Sequence, residues 1–272
     1  MNNATFRADM NYLRPNSNET MAVSVSIHNS RILKQENWQE RGFELQRHVS
    51  SVQDWASDSE VENTHYPEIR QLAKKLTGCN YALVSGHIRR NPEQASLHSD
   101  LAPITFVHSD FADSYGTLIK DHYQQADNAL AQQELSTIGL TAATINNATR
   151  LIIIQFWRNL GPLKMDLPIA FCDARTIPKT SVRTIPVTDY AGGGFDFETL
   201  GVEAPMAPSE HLWHTYPEMN DEEIIVFRTY DSQLLGSKKP YWTPHSAFAD
   251  PDVPQGNPAR SSIELRATCI FV

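Results

Sequence analysis

Cysteine is scarce in this 272-residue chain, and the three present, Cys79, Cys172 and Cys269, are far apart and odd in number. That spacing excludes a CxxC zinc motif and a disulfide framework, so they read as reduced. Cys172 and Cys269 lie in the apolar runs IAFCD and ATCIFV, where cysteine is usually a small core residue. Long hydrophobic runs are missing too. The longest, Leu151 to Ile154, is far too short to cross a bilayer, and MNNATFRADM lacks the apolar centre of a secretion signal. The expected location is the cytoplasm. Basic clusters denser than Lys238-Lys239 or Arg89-Arg90 are absent, and the net charge is −9. No nucleic acid partner is expected from this balance; small molecules are.

A hydrophobic fraction of 40% and a charged fraction of 20% fit a globular chain able to bury a large core. There is no internal repeat. Strand and helix do not alternate, which excludes a doubly wound sheet. The first twenty residues are polar and contain RPNSNE, predicting an irregular start. MAVSVSI (21–27) alternates as a strand does, and residues 35–57 read as partly helical. HYPEIRQLAKKLTG (65–78) places Ile69, Leu72, Ala73 and Leu76 at helical spacing and stops at Gly78. Residues 115–135 are rich in helix formers. Strands are predicted at 80–90, 150–160, 166–175, 222–232 and 261–272. The Thr/Pro/Gly-rich region 176–208 reads as a long loop over an opening. Strands therefore dominate the C-terminal half.

The triplet His-Ser-Asp occurs twice, at His98-Ser99-Asp100 and at His108-Ser109-Asp110. In a strand, residues two apart share a face, so PITFVHSD would project Ile104, Phe106, His108 and Asp110 to one side, as a chelate requires. The first triplet sits in a polar, proline-bounded loop that offers little preorganisation. A two-histidine, one-carboxylate iron site needs a second histidine, and His122, His211, His214 and His245 lie downstream. A double-stranded β-helix carries its distal histidine on the penultimate strand and an arginine on the last, which selects His245. On the last strand, Arg260, Ser262, Glu264, Arg266 and Thr268 share one face. That face is either solvated or presents Arg260-x-Ser262 to a carboxylate through a planar fork and a hydroxyl.

VHSD, FWRNLGPLKMDLPIAFCDAR, HLWHTYPEMNDEEIIVFRTYDS and PHSAFADPDVPQGNPARSSIELR occur in that order. The chain so resembles, from about residue 40 to the end, a family of small non-haem iron oxygenases of bacteria and fungi. That family includes a fungal gibberellin desaturase, the endoperoxide-forming enzyme of novofumigatonin biosynthesis and a component of cephamycin hydroxylation. The resemblance implies a mainly β fold with flanking helices around a jelly-roll, cupin-like double-stranded β-helix, spanning 1–272 as a single domain with an N-terminal extension over about 1–100 and an insertion over about 176–208. It implies Fe(II) held by His108, Asp110 and His245, with 2-oxoglutarate as cosubstrate on Arg260 and Ser262, or on Arg158, which stands beside Trp157 on the central strand. It also implies dioxygen and hydroxylation or desaturation of a small secondary metabolite, with release of succinate and carbon dioxide.

Trp213, His211 and His214 border the expected loop mouth, as substrate contacts or as a packed tryptophan between surface histidines. Arg89 and Arg90 end a strand shortly before the metal motif and either recognise a substrate carboxylate or are solvated. Asp173 and Asp231 follow strands, as turn formers or supporting acceptors. Two rival functions use the same residues: a cupin-like binding protein without oxygen chemistry, and a zinc-dependent hydrolase.

Overall fold

Two sheets form the framework of the fold. The computed structural model describes residues 4–33, 36–124, 129–254 and 258–272. In chain order the strands are β1 (Thr5–Leu13), β2 (Thr20–Asn29), β3 (Phe43–Arg47), β4 (Tyr81–Arg90), β5 (His108–Ser109), β6 (Arg150–Asn159) and β7 (Ile169–Cys172). They continue with β8 (Val182–Val187), β9 (Phe197–Val202), β10 (Trp213–Thr215), β11 (Glu223–Asp231), β12 (His245–Ala247) and β13 (Ser262–Phe271). One sheet has eight strands in the order β1-β2-β10-β7-β12-β5-β9-β8, the other five in the order β3-β11-β6-β13-β4. The larger sheet curls until β1 meets the chain flanking β5 and β9, through bridges of Asn11 with Phe106 and Leu13 with Glu203.

The five-stranded sheet is covered on both faces, which is why RLIIIQFWRN is apolar almost throughout. Ile152, Ile154 and Phe156 point outward to pack with Ile263, Leu265 and Ala267 against the helix Tyr66–Thr77, through Ile69 and Ala73. That helix has proline in its first turn and ends on Gly78 at φ +72, as its sequence predicts. The opposite face of β6 meets the larger sheet through Trp157, Phe43, Phe227 and Phe171. Burying one such aromatic stabilises by roughly 2–3 kcal/mol, so this layer fixes the spacing of the sheets between which the site lies.

Two expectations change, and a third, the partly helical stretch 35–57, gains a strand. Residues 5–13 are not irregular but form β1, whose buried Met10 and Tyr12 pack into the curl of the larger sheet. Charged Arg7 and Asp9 on the alternate positions masked that pattern. The region 176–208 is not all loop, because β8 and β9 pair there in antiparallel register and β9 pairs β5. Residues 35–57 hold a short helix, Trp38–Arg41, and then β3. Tyr115–Gln124 and Ala129–Thr137 are helical as expected, while residues 125–128 lie outside the described residues.

Candidate metal centre

β5 and β12 are short, adjacent and antiparallel, and His108 is paired directly with His245. Residues opposed across a ladder point to the same face, so both imidazoles enter the space between the sheets, with ring centroids 4.4 Å apart. Asp110, two residues beyond His108, joins them. His108 Nε2 lies 4.0 Å from Asp110 Oδ1, and His245 Nε2 lies 3.8 Å from Asp110 Oδ2. One donor atom from each of the three falls within 4.8 Å of the others. The second triplet is thus the one the fold completes, with His245 as its distant partner.

The tautomers are set by the backbone. His108 Nδ1 is 2.7 Å from the Phe106 carbonyl and His245 Nδ1 is 2.9 Å from that of Thr243. A carbonyl only accepts, so each Nδ1 carries the proton and each Nε2 offers its lone pair to the cluster. Burial, reinforced by the neighbouring His245, lowers the His108 pKa to about 4 and keeps that ring neutral at physiological pH. Gln155 on β6 donates through Nε2 to Asp110 Oδ2. Two imidazole Nε2 atoms and one carboxyl group on one side of a point suit Fe(II) and leave its remaining positions open.

Two cavities meet at these residues. The smaller is lined by His108, Asp110, His245, Arg260 and Glu264, among others. Arg260 is buried, with Nε donating to Ser262 Oγ at 3.0 Å, Nη1 donating to the Leu167 carbonyl at 3.3 Å and the guanidinium 5.1 Å from the Trp157 ring centre. Burial and the neighbouring Arg90 pull its pKa down to about 9 against the opposing carboxylates of Glu264 and Asp166, so it stays charged at neutral pH, with no ion pair among the described residues. The larger cavity, about 440 Å³, is walled by Ile104, Phe106, Tyr190 and Phe197 and reaches His108 and Asp110. That is the size of a small-molecule site.

The fold does not bring every expected residue here. Arg158 lies on the other face of β6, donating to the His48 carbonyl at 2.9 Å and to the Asp221 carbonyl, with its guanidinium over Trp55. Arg89 also faces outward, binding Asp58 and the Trp55 carbonyl. Its neighbour Arg90 faces inward and lines both cavities. Trp213 is fully buried in the curl of the larger sheet and donates through Nε1 to Tyr12 Oη at 2.7 Å; His211 shares that hydroxyl at 3.0 Å. His214 is bonded to Ser30 Oγ and rests on Phe43. None of Trp213, His211, His214 and Arg89 lines either cavity. Asp173 and Asp231 pair with Arg175 and Arg150. His98 and Asp100 are 3.6 Å apart and each more than a third exposed, with no third donor among the described residues.

A second cluster, His48, His65 and Glu68, lies near Arg158. Its bonds are already made, since Arg158 donates to His48 Nδ1, and Glu68 accepts from Ser50, from the Ser51 amide and from His65. A guanidinium at hydrogen-bond distance opposes a second cation. Sequence reasoning missed Gln155 as part of the interior, and it left open whether the face that carries Arg266 is solvated. The signal for Gln155 was there: it is the single polar residue within LIIIQFW.

A jelly roll presenting two imidazoles and a carboxyl group to one interior point has the architecture of a non-haem iron oxygenase. The chain belongs to the family described as YDMC: Oxidoreductase/YMDC permease-like domain, whose model matches residues 3–270. It is 26% identical over 247 residues to the hydroxylase/desaturase CTB9 of Cercospora beticola, covering 85% of this chain and 70% of that one. It is 25% identical over 251 residues to the alpha-ketoglutarate-dependent dioxygenase phiK of a fungal species, strain ATCC 74256, covering 92% and 84%. The fold matches the solved structure of the iron and alpha-ketoglutarate-dependent endoperoxidase NvfI with a TM-score of 0.79 at 17% identity, covering 100% of this chain and 99% of that one.

Proposed function

We propose that His108, Asp110 and His245 bind Fe(II), that Arg260 with Ser262 holds the far carboxylate of 2-oxoglutarate, and that the 440 Å³ cavity takes the substrate. The protein is an Fe(II)/2-oxoglutarate-dependent dioxygenase of the hydroxylase/desaturase type, acting on a small molecule with dioxygen. Iron with 2-oxoglutarate and dioxygen supplies oxidation of a C–H bond, the keto acid leaving as succinate and carbon dioxide. The chain's own residues do the rest. The Phe106 and Thr243 carbonyls aim the two Nε2 lone pairs, Gln155 holds one oxygen of Asp110, and Ser262 accepts from Arg260 while keeping its own hydrogen to donate. Phe106, Tyr190 and Phe197 give the side where the C–H bond lies an apolar wall.

The observation that carries this reading is the three-residue cluster opening onto two cavities at once, with a buried, charged arginine in the smaller. A cytoplasmic location, no nucleic acid partner and a single domain over 1–272 belong to the same reading. They are supported by three buried free cysteines, a net charge of −9, and the absence, among the described residues, of a helix long and apolar enough to cross a membrane. The test is succinate formation from 2-oxoglutarate by the iron-loaded protein in air, with and without Asp110→Ala. Oxygen-dependent succinate that the variant does not make supports the proposal. No succinate would favour a binding protein, and turnover of an ester or amide under strict anaerobiosis would favour a hydrolase.

A further inference from the structure

Arg266 stands on β13 opposite Gln155 of β6, on the interior face, and lines the larger cavity beside Asp110. Its guanidinium is 5.5 Å from the Phe111 ring centre, its Nε is buried without a hydrogen-bond partner, and it donates to no group among the described residues. The other charged groups of that cavity are engaged. Arg90 donates to the Asp100 and Ala102 carbonyls, to Tyr190 Oη and to the Glu264 carboxylate. Asp100 accepts from the Ala191 amide, and Asp110 is held by Gln155 and faces the histidines. The carboxylates of Asp110 and Glu264 offset its charge from nearby, but its N–H donors find no acceptor among the described residues, and unmade hydrogen bonds are costly in an aromatic-walled space next to the candidate metal centre.

We infer that Arg266 is the substrate's docking cation and that the substrate class is a hydrophobic carboxylic acid, its carboxylate gripped by the Arg266 fork and its apolar body against Phe106, Tyr190 and Phe197. This rests on the proposed assignment of the smaller cavity to 2-oxoglutarate, because only then is the larger one free. A guanidinium matches a carboxylate through two parallel hydrogen bonds, and it is worth most where water is excluded. The carboxylate end fixes the distance from the metal centre to the C–H bond presented to it, which makes Arg266 a specificity-determining residue.

The test uses the full chain loaded with Zn(II) in place of iron and saturated with 2-oxoglutarate. Benzoate, 2-naphthoate and biphenyl-4-carboxylate, each beside its methyl ester, are titrated by ligand-observed NMR into wild type, Arg266→Gln and Arg266→Lys. At least one acid should bind wild type about 10-fold or more tighter than its ester. That preference should vanish in Arg266→Gln and partly return in Arg266→Lys. Failure of all three acids to bind wild type, equal binding of acid and ester, or an acid preference that survives in Arg266→Gln overturns the inference. A parallel anaerobic absorbance titration with Fe(II) and 2-oxoglutarate separates the two proposals. Loss of the keto-acid charge-transfer band in Arg266→Gln would make Arg266 the cosubstrate anchor and overturn the substrate assignment. Absence of the band in wild type as well would remove the cosubstrate reading, leaving the acid-against-ester comparison to decide on Arg266 as an acid-binding cation.

Discussion

Gln155 of the five-stranded sheet donates a hydrogen bond to Asp110, whose histidine partners belong to the eight-stranded sheet. The cluster is therefore assembled across the interior. One sheet supplies the two imidazoles as a cross-strand pair, and the other orients the carboxylate between them.

The first prediction concerns that bond. Gln155→Leu keeps side-chain bulk in the apolar layer but frees Asp110 to rotate, so Fe(II) affinity should fall by about 10- to 100-fold, the usual effect of losing such a supporting bond. Competitive metal titration of the apo protein measures it, with thermal unfolding run alongside. A variant that unfolds like wild type and still binds Fe(II) with wild-type affinity would show that Asp110 needs no help from β6.

The two arginines named from the sequence should separate kinetically. Arg260→Lys keeps the charge but loses the planar fork, and it should raise the KM for 2-oxoglutarate by about 10- to 100-fold. Arg158→Lys, on the outer face with His48 and Asp221, should leave that KM unchanged. Steady-state oxygen consumption across a 2-oxoglutarate series decides between them, and the reverse ranking would return the anchor to Arg158.

Gly42 couples a turn to the metal centre. It adopts φ +103, and a Cβ there would collide with Thr243 Oγ1, whose hydroxyl donates to the Gly42 carbonyl. The Thr243 carbonyl in turn holds His245 Nδ1. Gly42→Ala should cost about 1–3 kcal/mol in backbone strain, with a comparable amount from crowding, and should also weaken Fe(II) binding. Chemical unfolding and metal titration give the two readings; a loss of stability with unchanged metal affinity would break the proposed link.

Acid should destabilise the fold before its carboxylates titrate. Tyr12 Oη accepts from Trp213 Nε1, so its own hydrogen is donated to His211 Nδ1, which must then be unprotonated. Burial lowers the His211 pKa to about 4, against an ordinary value of 6.5. Because the folded-state value is the lower one, the unfolded chain binds the proton first. Stability attributable to His211 is complete above pH 6.5 and is lost as pH falls toward 4, by up to about 1.4 kcal/mol per pH unit. Urea unfolding at a series of pH values should show this slope, and His211→Gln should reduce it by about one proton's share, the rest belonging to His48, His108 and His214, whose pKa values burial also lowers. An unchanged slope in the variant would place the sensitivity elsewhere.

The clustering of His108, Asp110 and His245 was legible because it follows two simple patterns. His-x-Asp on an extended segment put both side chains on one face, and the strand order reserved for a distal histidine pointed to His245. Alternation on the last strand was equally readable: Ile263, Leu265 and Ala267 pack outward while Glu264 and Arg266 face in. Facing was illegible where a strand is buried on both sides. Nothing in RLIIIQFWRN says that Gln155 and Trp157 turn inward and Arg158 outward, since apolar neighbours occupy both faces. The same ambiguity led to Arg89, where the register with β13 puts Arg90 opposite Ser262 on the interior face. His211 and His214 flank a tryptophan beside charged residues, yet that segment is β10, lodged between β2 and β7 inside the larger sheet. Such pairing between distant segments leaves no local trace in the sequence.

The most direct test of the metal assignment is anaerobic visible absorbance of the apo protein titrated with Fe(II) and then with 2-oxoglutarate, in wild type, His245→Ala and His98→Ala. The account predicts a weak metal-to-ligand charge-transfer band in wild type and in His98→Ala, and none in His245→Ala. A band that persists at full strength in His245→Ala would contradict it, because the cluster completed across β5 and β12 would then not be where the keto acid meets the metal.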